Sequence, residues 1–94
     1  MTVVERFARN LRRIRTRRDL TQLDFAVRAD MHRTEVSLLE RALREPRMET
    51  LIKLAGALEV PLSELVEGIE WQPFPSPPPP SAAGRFHFSQ MERS

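Results

Sequence analysis

Apolar residues from Val4 to Leu58 recur at spacings of three and four, and that period confines this part of the chain to amphipathic helices. Val4, Phe7, Ala8, Leu11 and Ile14 mark a first helix over about 3–18 with a basic outer face. Thr21, with Asp24 three residues on, is an N-cap signal of capping-box type with the shorter acid. Phe25, Ala26 and Ala29 carry that second helix to about Ala29. A corner without glycine follows at Asp30 to His32. Aspartate tolerates left-handed backbone angles, so Asp30 is expected to end the second helix where glycine would be usual. A third helix spans about 33–41, with Val36 and Leu39 inward and Arg33, Thr34, Ser37 and Leu38 outward. Pro46 keeps the residue before it out of helical geometry, and Met48, Leu51, Leu54, Ala55 and Leu58 then form the stripe of a fourth helix over about 48–58. A short fifth helix is expected near 62–67, closed by Gly68.

Beyond Gly68 the pattern changes, so the chain divides into a helical unit, 1–68, and a tail, 69–94. The tail holds six of the eight prolines, and Pro77–Pro80 are expected to form an extended polyproline segment. Proline and low helix propensity argue for disorder there. The aromatic residues argue against it: Ile69 with Trp71, and Phe86 with Phe88, show the two-residue period of short strands at 69–72 and 85–88. The fold class is therefore all-α: five helices with a Pro-rich C-terminal tail for which two readings stay open, an extended or partly disordered segment, or two short strands that help make a dimer.

Charge is unevenly distributed. Residues 1–47 carry 12 Arg against 7 Asp+Glu, or +5, while residues 48–94 carry 3 Lys+Arg against 6 Glu, or −3. Arg outnumbers Lys 14 to 1, and a flat fork of five donors suits phosphates and guanine edges better than a point charge does. Cysteine is absent, the two histidines lie in different segments, and neither a Gly-rich phosphate loop nor a His-x-x-x-His pair occurs. No catalytic residue, metal site or cofactor is expected. Charges interrupt every hydrophobic segment, so neither export nor membrane spanning is indicated and the expected location is the cytoplasm.

The stretch "FARNLRRIRTRRDLTQLDFAVRADMHRTEVSLLERALREPRMETLIKLAGALEVPLSELVEG" resembles the lambda-repressor and Cro type of helix-turn-helix, the XRE family. The resemblance covers about Phe7–Gly68 and rests on "LTQ" opening the second helix, "LLERA" closing the third, "EPRMETLIKLAGAL" and "VPLSEL". The sequence departs from the family at Asp30 and Ala42, where glycine is usual, and at His32, where Ser or Thr is common.

The resemblance implies sequence-specific binding of double-stranded DNA by a bacterial transcriptional regulator acting as a homodimer on a palindromic operator. The third helix would enter the major groove by its N-terminal end. Arg33 could then bond guanine O6 and N7 bidentately, although a phosphate contact is also open to it. Thr34 could meet a base, and Ser37 and Leu38 lie one turn deeper on the same face. Gln22, at the first turn of the second helix, matches the family residue that bonds a phosphate and braces the reading helix. Arg13, Arg17 and Arg44, with Arg12, Arg18 and Arg47, are candidates for phosphate contact. Arg15 and Glu40 match the family's buried ion pair and are expected to be structural. Glu35 favours a helix N-terminus more than a base contact. Leu23 and Val27 are expected as exposed apolar residues, either ordinary scattered surface or a contact for a partner. The rival reading is a protein-interaction module of antitoxin or adaptor kind, with the tail as a surface for a protein partner.

Overall fold

The computed structural model describes residues 1–73 and 84–89, in five helices and two strands. The helices are α1 (Val3–Arg17), α2 (Gln22–Arg28), α3 (Arg33–Glu40), α4 (Met48–Leu58) and α5 (Leu62–Leu65). The strands are β1 (Ile69–Gln72) and β2 (Arg85–Phe88). α1 starts at a full capping box, in which the Thr2 hydroxyl accepts from the Glu5 N–H at 3.1 Å and Glu5 Oε1 accepts from the Thr2 N–H at 2.8 Å. α2 has half of that device. Thr21 Oγ1 accepts from the Asp24 N–H at 3.0 Å, and the shorter acid makes no return bond.

The helices end without glycine. Asp19, Asp30, Ala42 and Glu59 all take left-handed angles, with φ of 58°, 56°, 60° and 58°. Each is followed by an N–H that reaches five residues back: Leu20 to the Arg15 carbonyl, Met31 to Ala26, Leu43 to Leu38 and Val60 to Ala55, at 2.9–3.2 Å. These are Schellman endings, which bury an apolar residue just after the turn. Leu20, Met31 and Val60 do pack against the core. Leu43 does not; it is 60% exposed.

The core gathers Phe7, Leu11 and Ile14 of α1, Phe25 of α2, Val36 and Leu39 of α3, Leu54 and Leu58 of α4 and Leu65 of α5. The expected stripes of α1 to α4 face it with two exceptions: Val4 is only half-buried, and Met48, at the start of α4, is 75% exposed. α5 departs from expectation in length: it stops at Leu65, and Gly68 (φ 80°) turns the chain into β1 instead of capping the helix. The reason lies in α1. Asn10 is fully buried, and its amide donates to the carbonyls of both Leu65 and Glu67 at 3.0 Å, so a side chain satisfies groups that another helical turn would have used. A Cβ on Gly68 would collide with the buried Arg6 guanidinium.

β1 and β2 pair antiparallel in the register Ile69↔Phe88, Glu70↔His87, Trp71↔Phe86 and Gln72↔Arg85. Side chains of directly paired residues share a face. One face is thus Ile69, Phe88, Trp71 and Phe86; the other is polar, with Arg85 donating to Gln72 at 2.8 Å and His87 Nδ1 lying 3.6 Å from Glu70. Ile69 packs on the helical core, whereas Trp71 and Phe86, in edge contact at 5.2 Å, stay about half exposed. Gly84 lies so close to the Trp71 indole that no side chain fits there. The polyproline segment expected at Pro77–Pro80 lies outside the described residues. No described helix is long and apolar enough to cross a membrane.

Candidate nucleic-acid interface

α3 is a helix with two sides of different character. Val36 and Leu39 are fully buried, and Glu40 nearly so. Arg33 and Thr34 are exposed, with Ser37 and Leu38 half-buried beside them. These four fall at positions i, i+1, i+4 and i+5, so they form one outward stripe at the N-terminal end of the helix. His32 is the N-cap but makes no side-chain bond, and the first turn of α3 therefore keeps unsatisfied N–H groups beside Arg33 and Thr34. Glu35, in the same turn, is half-buried.

Three helices meet at Glu40. Its carboxylate is held bidentately by Arg15 of α1, Nε on Oε2 and Nη2 on Oε1 at 3.0 Å. Arg15 also donates through Nη1 to the Leu20 carbonyl at 2.7 Å, tying down the α1–α2 turn. Gln22 of α2 donates to Oε1 of the same carboxylate at 3.2 Å. The pair is shielded, with side-chain exposures of 14% for Arg15 and 2% for Glu40. A buried bidentate guanidinium–carboxylate pair restricts rotation of both partners, so α1, α2 and α3 are fixed in angle at the point where Gln22 and the α3 stripe converge.

The arginines expected at phosphates divide into groups. Arg44 and Arg47 lie exposed in the segment joining α3 to α4. Arg12 is exposed on α1. Arg17 reaches Glu64 of α5 at 3.5 Å, and Arg13 reaches Glu67, just beyond α5, at 3.4 Å. Arg18 donates to the Glu59 carbonyl at 3.1 Å. Leu23 and Val27 are 58% and 71% exposed. The bonds of Asn10 and the burial of Arg6 go beyond what the sequence pattern assigns to these residues. The signal was present: Arg6, Asn10, Arg13 and Arg17 recur at spacings of four, three and four, a polar stripe along the flank of the apolar one. Among the described residues no cluster of His, Asp and Glu could hold a metal ion.

Two short helices joined by a tight turn, the second with one side buried and an outward stripe on the other, define a helix-turn-helix protein. The helix-turn-helix model HTH_3 matches residues 11–65, and the chain belongs to this XRE-type family of DNA-binding transcription regulators. Control protein C.MunI of Mycoplasma sp is 36% identical over 66 residues, spanning 69% of this chain and 89% of that protein. The crystal structure of the restriction-modification controller protein C.AhdI from Aeromonas hydrophila shares 32% identity and a TM-score of 0.65, covering 66% of this chain and 94% of its own. The hypothetical transcription factor NHTF from Neisseria shares 28% identity and a TM-score of 0.66, covering 69% and 75%. The activity of this chain is DNA-binding transcription regulation.

Proposed function

We propose that this protein is a bacterial regulator that works in the cytoplasm as a homodimer, each protomer placing α3 in the major groove of one half of a palindromic operator. The observation that carries the reading is the outward stripe of Arg33, Thr34, Ser37 and Leu38 on a helix whose opposite side is buried and whose end is locked by Glu40. Arg33 reads guanine, Thr34 meets an adjacent base, and Ser37 and Leu38 contact bases one turn further in, Leu38 on a thymine methyl. Gln22 offers the first-turn N–H groups of α2 to a phosphate and keeps its side chain on Glu40. Arg44 meets the backbone from the α3–α4 segment. Arg17 can join it by releasing its long, exposed pair with Glu64, which is worth little, whereas Arg13, 19% exposed and also donating to Asn10 Oδ1, has more to give up. The control-protein relatives and their bacterial sources support this reading. No step of it needs a catalytic residue, a cofactor or a metal.

The dimer is assigned to the hairpin side. Trp71 and Phe86 form the uncovered end of an apolar face that begins in the core, and the hairpin lies outside the span that the family model matches. A two-stranded hairpin is marginal in water unless its face is packed. The same two aromatics favour the second reading, in which the tail holds a different protein. Selection of bound sequences from a random duplex pool, followed across a salt series, separates the two. Operator binding returns an inverted repeat and weakens steeply with salt through counterion release. A pool without any motif, and no salt-dependent duplex binding, would leave the protein-interaction reading standing.

A further inference from the structure

An open groove of about 700 Å³ runs between the outer face of α1 and the end of α3. Arg9, Arg12 and Arg41 line it, with Arg13 and Arg17 at its α5 side. Arg9, Arg12 and Arg41 are exposed, and none has a carboxylate within 4.0 Å among the described residues. The groove also contains two carboxylates, of which Glu40 is paired with a cation and Glu5 keeps its charge. Glu40 is taken by Arg15 and Gln22, and Glu5 accepts from the Thr2 N–H. Three guanidiniums without an ion-pair partner stand against the single charge of Glu5, so this concave surface is net positive, a geometry that concentrates positive potential.

Two features say what such a surface takes. Arg9, Arg12 and Thr16 stand at i, i+3 and i+7 on α1, a row about 10 Å long, which suits successive phosphates better than one small ion. Arg41 continues the α3 stripe, at i, i+4 and i+8 with Arg33 and Ser37, so the groove opens where the base-reading stripe ends. The small side chains of Ala8 and Ala42 in its wall leave the approach clear.

We propose that this groove holds the phosphodiester backbone of the operator duplex beyond the base pairs that α3 reads, with Arg9, Arg12 and Arg41 as its phosphate ligands. The inference rests on the operator-binding reading above and extends it: the footprint is longer than the half-site. Guanidinium forks bond phosphate oxygens in pairs, and every phosphate neutralised adds about 0.9 to the salt slope.

The test uses the full chain, a variant combining Arg9→Gln, Arg12→Gln and Arg41→Gln, and two duplexes. One ends at the outer edges of the selected half-sites; the other extends about one helical turn further on each side. The three side chains are exposed, so parent and variant are expected to melt within a degree or two of each other, and the single Arg12→Gln variant carries the same test with about one unit of slope. On the long duplex the parent's slope should exceed the variant's by about two to three units. Between 50 and 200 mM salt that is roughly a 40-fold larger loss of affinity. On the short duplex the two slopes should agree. Equal slopes on the long duplex overturn the proposal. Calorimetric titration with ATP distinguishes a free polyphosphate from the DNA backbone: no saturable binding is expected, and saturable binding lost in the variant with duplex slopes unchanged overturns the assignment. Parent protein that binds no duplex of either length defeats the operator reading itself, and the groove's role with it.

Discussion

Glu40→Ala removes the acceptor on which three helices converge. Arg15 would lose both bonds to the carboxylate and keep only the Leu20 carbonyl at 2.7 Å, while Gln22 would lose its acceptor as well. Breaking a buried pair from one side costs roughly 3–5 kcal/mol because a charge is left without a partner. Arg15 retains 14% exposure and one carbonyl, so water and the backbone recover part of that, and the lower end, about 3 kcal/mol, applies. A loss of that size is a large share of the roughly 5–15 kcal/mol available to a small domain. It should lower Tm by about 12–24 °C. Urea unfolding followed by circular dichroism measures it, with the midpoint falling and the slope unchanged. Arg15→Ala should cost more, because it strands a carboxylate that is only 2% exposed. Combining Arg15→Met with Glu40→Leu should regain most of the loss, since apolar replacements of buried pairs are commonly neutral or better. A Glu40→Ala protein melting within one or two degrees of the parent would refute the reasoning, because the pair would then contribute no more than a surface contact.

Ala42→Gly should stabilise by about 0.5–1 kcal/mol in the same assay, since relief of the strained φ of 60° exceeds the added entropy of the unfolded chain; a lower Tm would contradict this. His32→Ser should add about 0.5–1 kcal/mol by giving α3 the side-chain cap it lacks, read as a rise in Tm. Arg44→Ala should weaken operator and random duplex alike and lower the salt slope by about one, whereas a loss confined to the operator would move Arg44 to the bases. Deleting residues 75–94 should lower self-association in sedimentation equilibrium, and operator affinity with it, while the helical signal persists; identical association constants would take the tail out of the dimer.

The helical part was legible because its apolar residues obey one period, and burial of Phe7, Leu11, Ile14, Val36 and Leu39 follows directly from that spacing. Asp30 was readable as a left-handed corner because the interruption between two stripes leaves few residues to make it. The left-handed angles at Asp19 and Glu59 were not readable. They arise from backbone bonds five residues back and from burial of Leu20 and Val60, neither of which marks the residue at the turn itself. The end of α5 was misplaced for a similar reason: its carbonyls are met by Asn10, 55 positions away from Leu65. Both strand ranges followed from the two-residue period of Ile69, Trp71, Phe86 and Phe88, but the proximity of Gly68 to Arg6 required the folded chain. At the interface, the outward stripe of α3 came from the period, whereas the attachment of Gln22 to Glu40 depends on how α2 crosses α3.

Arg33→Ala tests most directly the proposal that the N-terminal stripe of α3 reads sequence. Affinity for the selected operator and for random duplex is measured at one fixed salt concentration, alongside a duplex series varied at every operator position. A loss of about 1–3 kcal/mol is expected on the operator, with little change on random duplex and relaxed preference at one base pair in each half-site. Equal losses on operator and random duplex, with every base preference intact, would place Arg33 on the phosphates and contradict the reading of α3 as the element that selects the site.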